Sequence, residues 1–372
     1  MTKIRNSHRP DYVFISCVII LTVFGLIMLS SASFDLGKKN FNDPYYYLKH
    51  QLAIGLIFGC LGFLFAANFH YLRWEKLSFP LLLVNILLLI LVFVSGFSYQ
   101  AGGASRWLKL GPFSLQPAEL LKFTFIIYLA TWLSKETKRR TSFIEGLLPF
   151  LIISSVISLL VLKQPATTTL LIVLASALAV YFTSGAKFKY IVLIVLLGAI
   201  LFSFVIYKSG YRSNRIKPFI EKVFLGKEID ILGTGFHQRQ SSIAIGSGKL
   251  FGVGYGKSTI KYRSLPETVG DSIFAVIAEE LGFVGSVFLI GLYALLSFKG
   301  FKIAQKTKDE FGKLVIVGFI SVICLQVFIH IGANTGLLPF TGVPLPFISY
   351  GGTALAIFLT MMGVIVNISK YN

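Results

Sequence analysis

Residues 240–285, QSSIAIGSGKLFGVGYGKSTIKYRSLPETVGDSIFAVIAEELGFVG, decide how the rest of the chain is read. The first half is polar and carries Gly246, Gly248, Gly252, Gly254 and Gly256 among Lys249, Lys257, Lys261 and Arg263. Glycines this frequent disfavour a helix, and their spacing is not that of a P-loop. They suit close backbone approach or a re-entrant turn against a membrane. After Leu265-Pro266-Glu267 the chain enters an apolar run that still holds Asp271, Glu279 and Glu280. Carboxylates at or inside a membrane helix are costly, so they face a cavity, pair with a cation, or do chemistry. Glu267 and Asp271 share a face if the helix already includes Glu267. Glu279 and Glu280 lie roughly 12–14 Å further along, and one of them is expected to pair with Lys122 or Arg106.

The composition around this stretch excludes an ordinary soluble protein. Of 372 residues 55% are hydrophobic and 14% charged, with 35 Phe. Apolar runs long enough to span a bilayer recur at 12–29, 52–68, 78–97, 116–134, 146–162, 168–184, 188–207, 271–298, 313–333 and 347–368. The expected fold is a single all-α polytopic membrane domain over 1–372 with about ten transmembrane helices. A long outer loop, 208–270, lies between spans seven and eight. The first run is too long for the core of a signal peptide and is read as a retained span. Cys17, Cys60 and Cys324 sit inside apolar runs without partner spacing, which argues against a disulfide framework or a metal site. No internal repeat is visible, and nothing resembles the inverted halves of many transporters.

Net charge is +19. Loops on the side of the termini carry seventeen Lys and Arg, against six in the four short loops opposite, so both termini are expected in the cytoplasm. The long loop then lies outside with eleven Lys and Arg, and long loops are exempt from that count. Such a basic outer loop reads either as a solvated segment touching anionic headgroups or as a site for an anionic lipid. A nucleic-acid partner would need a basic soluble domain, which the chain lacks.

Three further segments stand out. Arg106-Trp107, then Gln116-Pro117-Ala118-Glu119-Leu120-Leu121-Lys122, open span four. Pro117 and Glu119 suit a first helical turn, and Glu119 and Lys122, three apart, can neutralise each other. The hydroxyl-rich turn Gln164-Pro165-Ala166-Thr167-Thr168-Thr169 reads as helix capping. Residues 332–352 hold three prolines, five glycines and no charge, ending in Ser349-Tyr350-Gly351-Gly352, and read as a re-entrant connection lining a cavity.

An aspartate at a membrane surface beside a basic, glycine-rich loop suits glycosyl transfer from a lipid pyrophosphate. A base takes the acceptor hydroxyl's proton while cations stabilise the departing pyrophosphate. Proton-coupled transport through Glu119, Glu279 and Glu280 fits the same residues.

The segments GASRWLKLGPFSLQPAELLK, QSSIAIGSGKLFGVG, LPETVGDSIFAVIAEELGFVG and GLLPFTGVPLPFISYGG resemble, in order and spacing, the SEDS family (shape, elongation, division and sporulation proteins). The likeness covers nearly the whole chain, and the wording of GVGYGKSTIKYRSLPE and PFTGVPLPFISYGG is more similar to division members than to elongation members. The resemblance implies a peptidoglycan glycosyltransferase of the bacterial plasma membrane that polymerises lipid II on the outer face. Its usual partners would be a class B penicillin-binding protein and other division proteins. Asp271 would be the catalytic base, activating the 4-hydroxyl of the acceptor sugar in an inverting transfer. Arg106, Trp107, Gln116, Glu119, Lys122, Gln240, Ser247, Lys257, Lys261, Glu267, Ser349 and Tyr350 would face substrate, with the glycine-rich half cradling the pyrophosphate. Glu279 and Glu280 would be structural partners within the cavity. No metal-ligand cluster stands out, and a divalent cation such as Mg2+ on the pyrophosphate is left open. The chain departs from the family pattern at Val269, where a histidine is common, at Ala166 and at Phe236-His237. A lipid II flippase and a non-catalytic division scaffold are the alternative readings.

Overall fold

Long apolar segments satisfy their backbone polar groups internally when they fold as helices, and a helix occupies most of each of the ten expected segments. The computed structural model describes residues 9–94, 98–101, 104–110, 113–210, 213, 217, 219, 221, 234–263 and 265–371. In chain order the main helices are α1 (Tyr12–Phe41), α2 (Tyr46–Asn68), α3 (Leu72–Leu91), α4 (Pro117–Lys135), α5 (Phe143–Lys163), α6 (Thr167–Thr183) and α7 (Phe188–Lys208). They continue with α8 (Thr234–Ser247), α9 (Ile273–Lys306), α10 (Glu310–Thr335) and α11 (Gly352–Ser369). Eight of these are long and apolar enough to cross a membrane. Of the expected spans, α4 falls short because Glu119 and Lys122 interrupt its apolar run, and α6 because it has only 17 residues.

Several boundaries differ from the sequence reading. Helix α1 runs to Phe41, because Asn42 supplies the left-handed cap (φ 53°) that ends it. Helix α3 starts at Leu72 and stops at Leu91, and the chain after it forms a small antiparallel sheet, β1 (Ser98–Ala101), β2 (Ala104–Leu110) and β3 (Phe113–Leu115). The long loop is not wholly irregular either: α8 packs on α9 and α10.

Helices α10 and α11 form the centre, each with 78% of its apolar window buried, whereas α7 is peripheral at 11%. Helix α9 is broken at Gly282, whose φ of 68° lies in the left-handed region. The glycine-rich segment fills the gap. Val253 and Gly254 N–H donate to the Glu279 and Glu280 carbonyls (3.0 and 3.1 Å), and Phe283 and Val284 N–H donate to the Lys249 and Leu250 carbonyls (2.9 and 3.1 Å). The backbone groups freed by the break are thereby paired within the protein.

This splice needs Gly252, whose φ is 79° and where a Cβ would collide with the Glu280 carbonyl oxygen. Gly252→Ala is expected to destabilise the protein by about 1–2 kcal/mol from the left-handed backbone alone, with the collision adding to it. Thermal unfolding in detergent measures this. An unchanged melting temperature would show that the segment can leave the break without cost.

Candidate functional site

Asp271 lies half-buried in the turn that precedes α9, with Ser272 as the helix N-cap. The turn is closed by Gly270 and Ser272 N–H groups donating to the Glu267 carbonyl, both at 3.1 Å. Glu267 is exposed with φ 50°, outside the helix, so it does not share a helical face with Asp271.

The 336–351 segment grips this turn from one side. Tyr350 N–H donates to the Val269 carbonyl (2.8 Å) and Ser349 Oγ to the Gly270 carbonyl (2.8 Å). From α10, Asn334 Nδ2 donates to the Asp271 carbonyl (2.9 Å). Three consecutive backbone carbonyls are therefore anchored, and the Asp271 side chain emerges against Gly342. A Cβ on Gly342 would stand 2.8 Å from Asp271 Oδ2, so the glycine makes the room.

The gripping segment is itself tied down by buried polar side chains of the helices beneath. Gln326 Nε2 donates to the Pro344 carbonyl (2.7 Å), His330 Nδ1 meets the Val343 carbonyl (2.6 Å), and Tyr293 donates to the Pro346 carbonyl. Gly351 N–H donates to Gln51 Oε1 (3.0 Å), and the Tyr350 hydroxyl meets His50 Nδ1 (2.9 Å). Sequence reading missed His50, Gln51, Gln326 and His330 as supports and gave Asn334 no role. The available signal was a polar residue inside an apolar run.

Behind the segment lies the first buried ion pair. Lys122 Nζ donates to Glu119 Oε1 and Oε2 (2.7 and 2.8 Å) and to Gln326 Oε1 (2.7 Å). The neutralising pair expected from the i,i+3 spacing is present, and Gln326 joins it to Pro344. Gln116 is the N-cap residue of α4, one position before Pro117.

The second pair is elsewhere. Lys261 Nζ donates to Glu280 Oε1 (2.6 Å) and to Ser31 Oγ (2.8 Å), and Ser31 Oγ donates to Glu280 Oε1 (2.7 Å) or Oε2 (2.8 Å). Glu279 accepts from Ser258 Oγ and from the Thr259 N–H (2.9 Å). Neither glutamate reaches Lys122 or Arg106. Their partners come from the segment folded over α9 and from α1, which no local spacing connects to them.

The expected pyrophosphate cradle is thus occupied by the protein itself. Gly248 and Gly252 pack on the backbone of α9, Ser247 Oγ donates to the Ala244 carbonyl (2.7 Å), and the Lys261 ammonium is buried against Glu280. Of the two loop lysines expected at the substrate, Lys257 is exposed and Lys261 is not, and Gln240 is half-buried on α8. Arg106 is also committed within the fold: Nε donates to the Gln164 carbonyl (3.0 Å) and Nη2 to the Pro165 carbonyl (2.9 Å), fastening β2 to the α5–α6 turn. Trp107 sits beside it on β2, half-buried. The capping expected of that hydroxyl-rich turn is not found at the N-cap, Ala166, which has no side-chain cap.

The fold and site define a multi-pass helical membrane protein that presents an anchored aspartate at one end of its bundle. Residues 11–372 match the FtsW/RodA/SpoVE family of cell cycle proteins, and the chain belongs to that family. It is 37% identical over 372 residues to stage V sporulation protein E of Bacillus subtilis, covering 100% of both chains. It is also 37% identical over 362 residues to the probable peptidoglycan glycosyltransferase FtsW of Trichlorobacter lovleyi, covering 96% of this chain and 93% of the other. Among solved structures it resembles one reported for the structural coordination of polymerization and crosslinking by a peptidoglycan synthase complex (TM-score 0.78, 26% identity, 97% of each chain). It likewise resembles the rod shape determining protein RodA of Thermus thermophilus (TM-score 0.71, 26% identity, 98% of each chain).

Proposed function

We propose that the chain is a peptidoglycan glycosyltransferase that polymerises lipid II, with Asp271 as general base. The observation that carries this reading is an aspartate whose turn is anchored at Val269, Gly270 and Asp271 by the 336–351 segment and α10. Anchoring through backbone carbonyls fixes the position of the carboxylate relative to the bundle, as proton abstraction from a bound hydroxyl requires. In the transfer, the acceptor hydroxyl loses its proton to Asp271 as its oxygen bonds to the donor's anomeric carbon. The bond from that carbon to the lipid pyrophosphate breaks, and the pyrophosphate leaves with the electron pair.

Curated relatives named as peptidoglycan glycosyltransferases support the activity. The excess of Lys and Arg on the side of the termini supports cytoplasmic termini, with Asp271 on the outer face. Relatives named FtsW support a role in division, with a class B penicillin-binding protein and other division proteins as partners. Of the two loop lysines expected at the substrate, Lys261 is enclosed, so Lys257 is the one this reading keeps for the pyrophosphate. Among the described residues no three His, Cys, Asp or Glu converge on a metal site. A divalent ion such as Mg2+, where used, would be held chiefly by the pyrophosphate's own oxygens.

The test is lipid II given to the purified chain in detergent, with and without its class B partner. Glycan polymer is expected, since no translocation is needed there. No polymer under either condition would sink the proposal and favour the transporter or scaffold reading.

A further inference from the structure

The splice across the break in α9 leaves apolar side chains pointing away from the protein. Leu250 is 60% exposed and Phe251 80%, and Val253 and Tyr255 beside them are exposed too. Their backbone is held by four hydrogen bonds to α9 (Glu279, Glu280, Phe283 and Val284), so the exposure belongs to a fixed element. In water a fixed patch of this kind would be a liability.

Its depth can be read from the two longest helices. The 20 residues of α1 from Tyr12 to Ser31 cover about 30 Å, the thickness of a bilayer's hydrocarbon core, and the stretch of α9 that follows its break, Phe283 to Lys299, covers about 26 Å. Ser31 and Glu280 are hydrogen-bonded to each other. The hydrocarbon boundary on the Asp271 side therefore falls at this level in both helices. The Leu250 carbonyl accepts from Val284 N–H (3.1 Å), just past the break, and Tyr255 Oη donates to the Ile27 carbonyl (3.0 Å), one turn below Ser31. The exposed face of the segment is continuous with Ile27, Phe283 and Val284, which are exposed on the membrane-spanning stretches of α1 and α9.

We propose that residues 249–255 form a re-entrant element inserted into the leaflet on the Asp271 side, with Leu250 and Phe251 among the acyl chains. Val253 sits toward the headgroups, the amphipathic ring of Tyr255 lies just inside the boundary with its hydroxyl on α1, and the exposed Lys249 and Lys257 flank the insertion. The bilayer is the occupant that the depth and the continuity with the spanning surface select. A partner protein or a second copy would leave a different signature.

The test uses the full chain in vesicles of phosphatidylethanolamine and phosphatidylglycerol, with Cys17, Cys60 and Cys324 changed to serine and Phe251→Cys carrying a spin label. Collisions with oxygen, which concentrates in hydrocarbon, are expected to exceed those with a water-soluble nickel chelate several-fold, as for a label at Val287 and unlike one at Lys257. Greater access to the nickel chelate would overturn the proposal. Low access to both reagents would show protein covering the segment, which overturns it equally. A second measurement keeps the native cysteines: Phe251→Trp should add fluorescence that acyl-brominated phospholipids quench. Added fluorescence that these lipids leave unquenched would also overturn it.

Discussion

Asp271→Asn is expected to lower lipid II polymerisation by a factor of roughly 10²–10⁴, the usual contribution of a positioned general base. The substitution keeps the shape of the side chain but removes its capacity to take a proton. The contacts that hold the turn, from Asn334, Ser349 and Tyr350, all run to backbone carbonyls, so the fold and its melting temperature should survive. The loss should fall on kcat, with KM nearly unchanged, because the missing interaction operates in the transition state. Gly342→Ala approaches the same group from outside. The added methyl would stand 2.8 Å from Asp271 Oδ2, forcing the carboxylate to move. It should therefore also lose activity while leaving the protein folded. Polymer length and yield on gels, beside thermal unfolding of each variant, check both substitutions. Near-normal yield from Asp271→Asn would remove the general-base assignment.

The positions of the helices were legible because a membrane span leaves a one-dimensional signature. An apolar run of about twenty residues needs no distant partner to be recognised. The same holds for Glu119 and Lys122, whose pairing follows from adjacent turns of one helix. What could not be read locally was every contact made across the bundle. Glu279 and Glu280 lie on the helix that follows Asp271, yet their partners are Ser258 and Lys261 from the segment before it and Ser31 from α1. The glycines at 248 and 252 announced a close approach without saying to what. The surface they approach is the backbone of α9 rather than a phosphate. The small sheet escaped notice because its strands are four, seven and three residues long, too short for a clear alternation. For the site, Ser349 and Tyr350 lie against the Asp271 turn, holding its backbone at Gly270 and Val269. The helix residues that support them, Gln326, His330 and Asn334, occur singly in apolar runs, where a sequence shows that a polar residue needs a partner but not which one.

Lys261→Met is expected to cost about 3–5 kcal/mol of stability, the usual consequence of leaving one member of a buried ion pair without the other. Glu280 is fully buried, and with Lys261 gone it would keep only the Ser31 hydroxyl among the partners described above. Removing both charges in Lys261→Met/Glu280→Leu should recover much of the loss, because apolar replacement of a whole buried pair is often neutral or better. This series separates the two roles open to the lysine. As a pyrophosphate ligand it would tolerate Met with its melting temperature intact and lose polymerisation, and the double variant would be no better. As the ion-pair partner seen here, the single variant melts early, and the double variant regains stability and with it activity. Lys257→Met supplies the contrast: an exposed residue whose loss should change stability by within about 0.5 kcal/mol. Any fall in polymerisation there would reflect contact with substrate. Melting temperatures and polymer yields for the three variants would therefore assign the basic segment residue by residue, with Lys261 to the architecture of the broken helix and Lys257 to the lipid-linked donor.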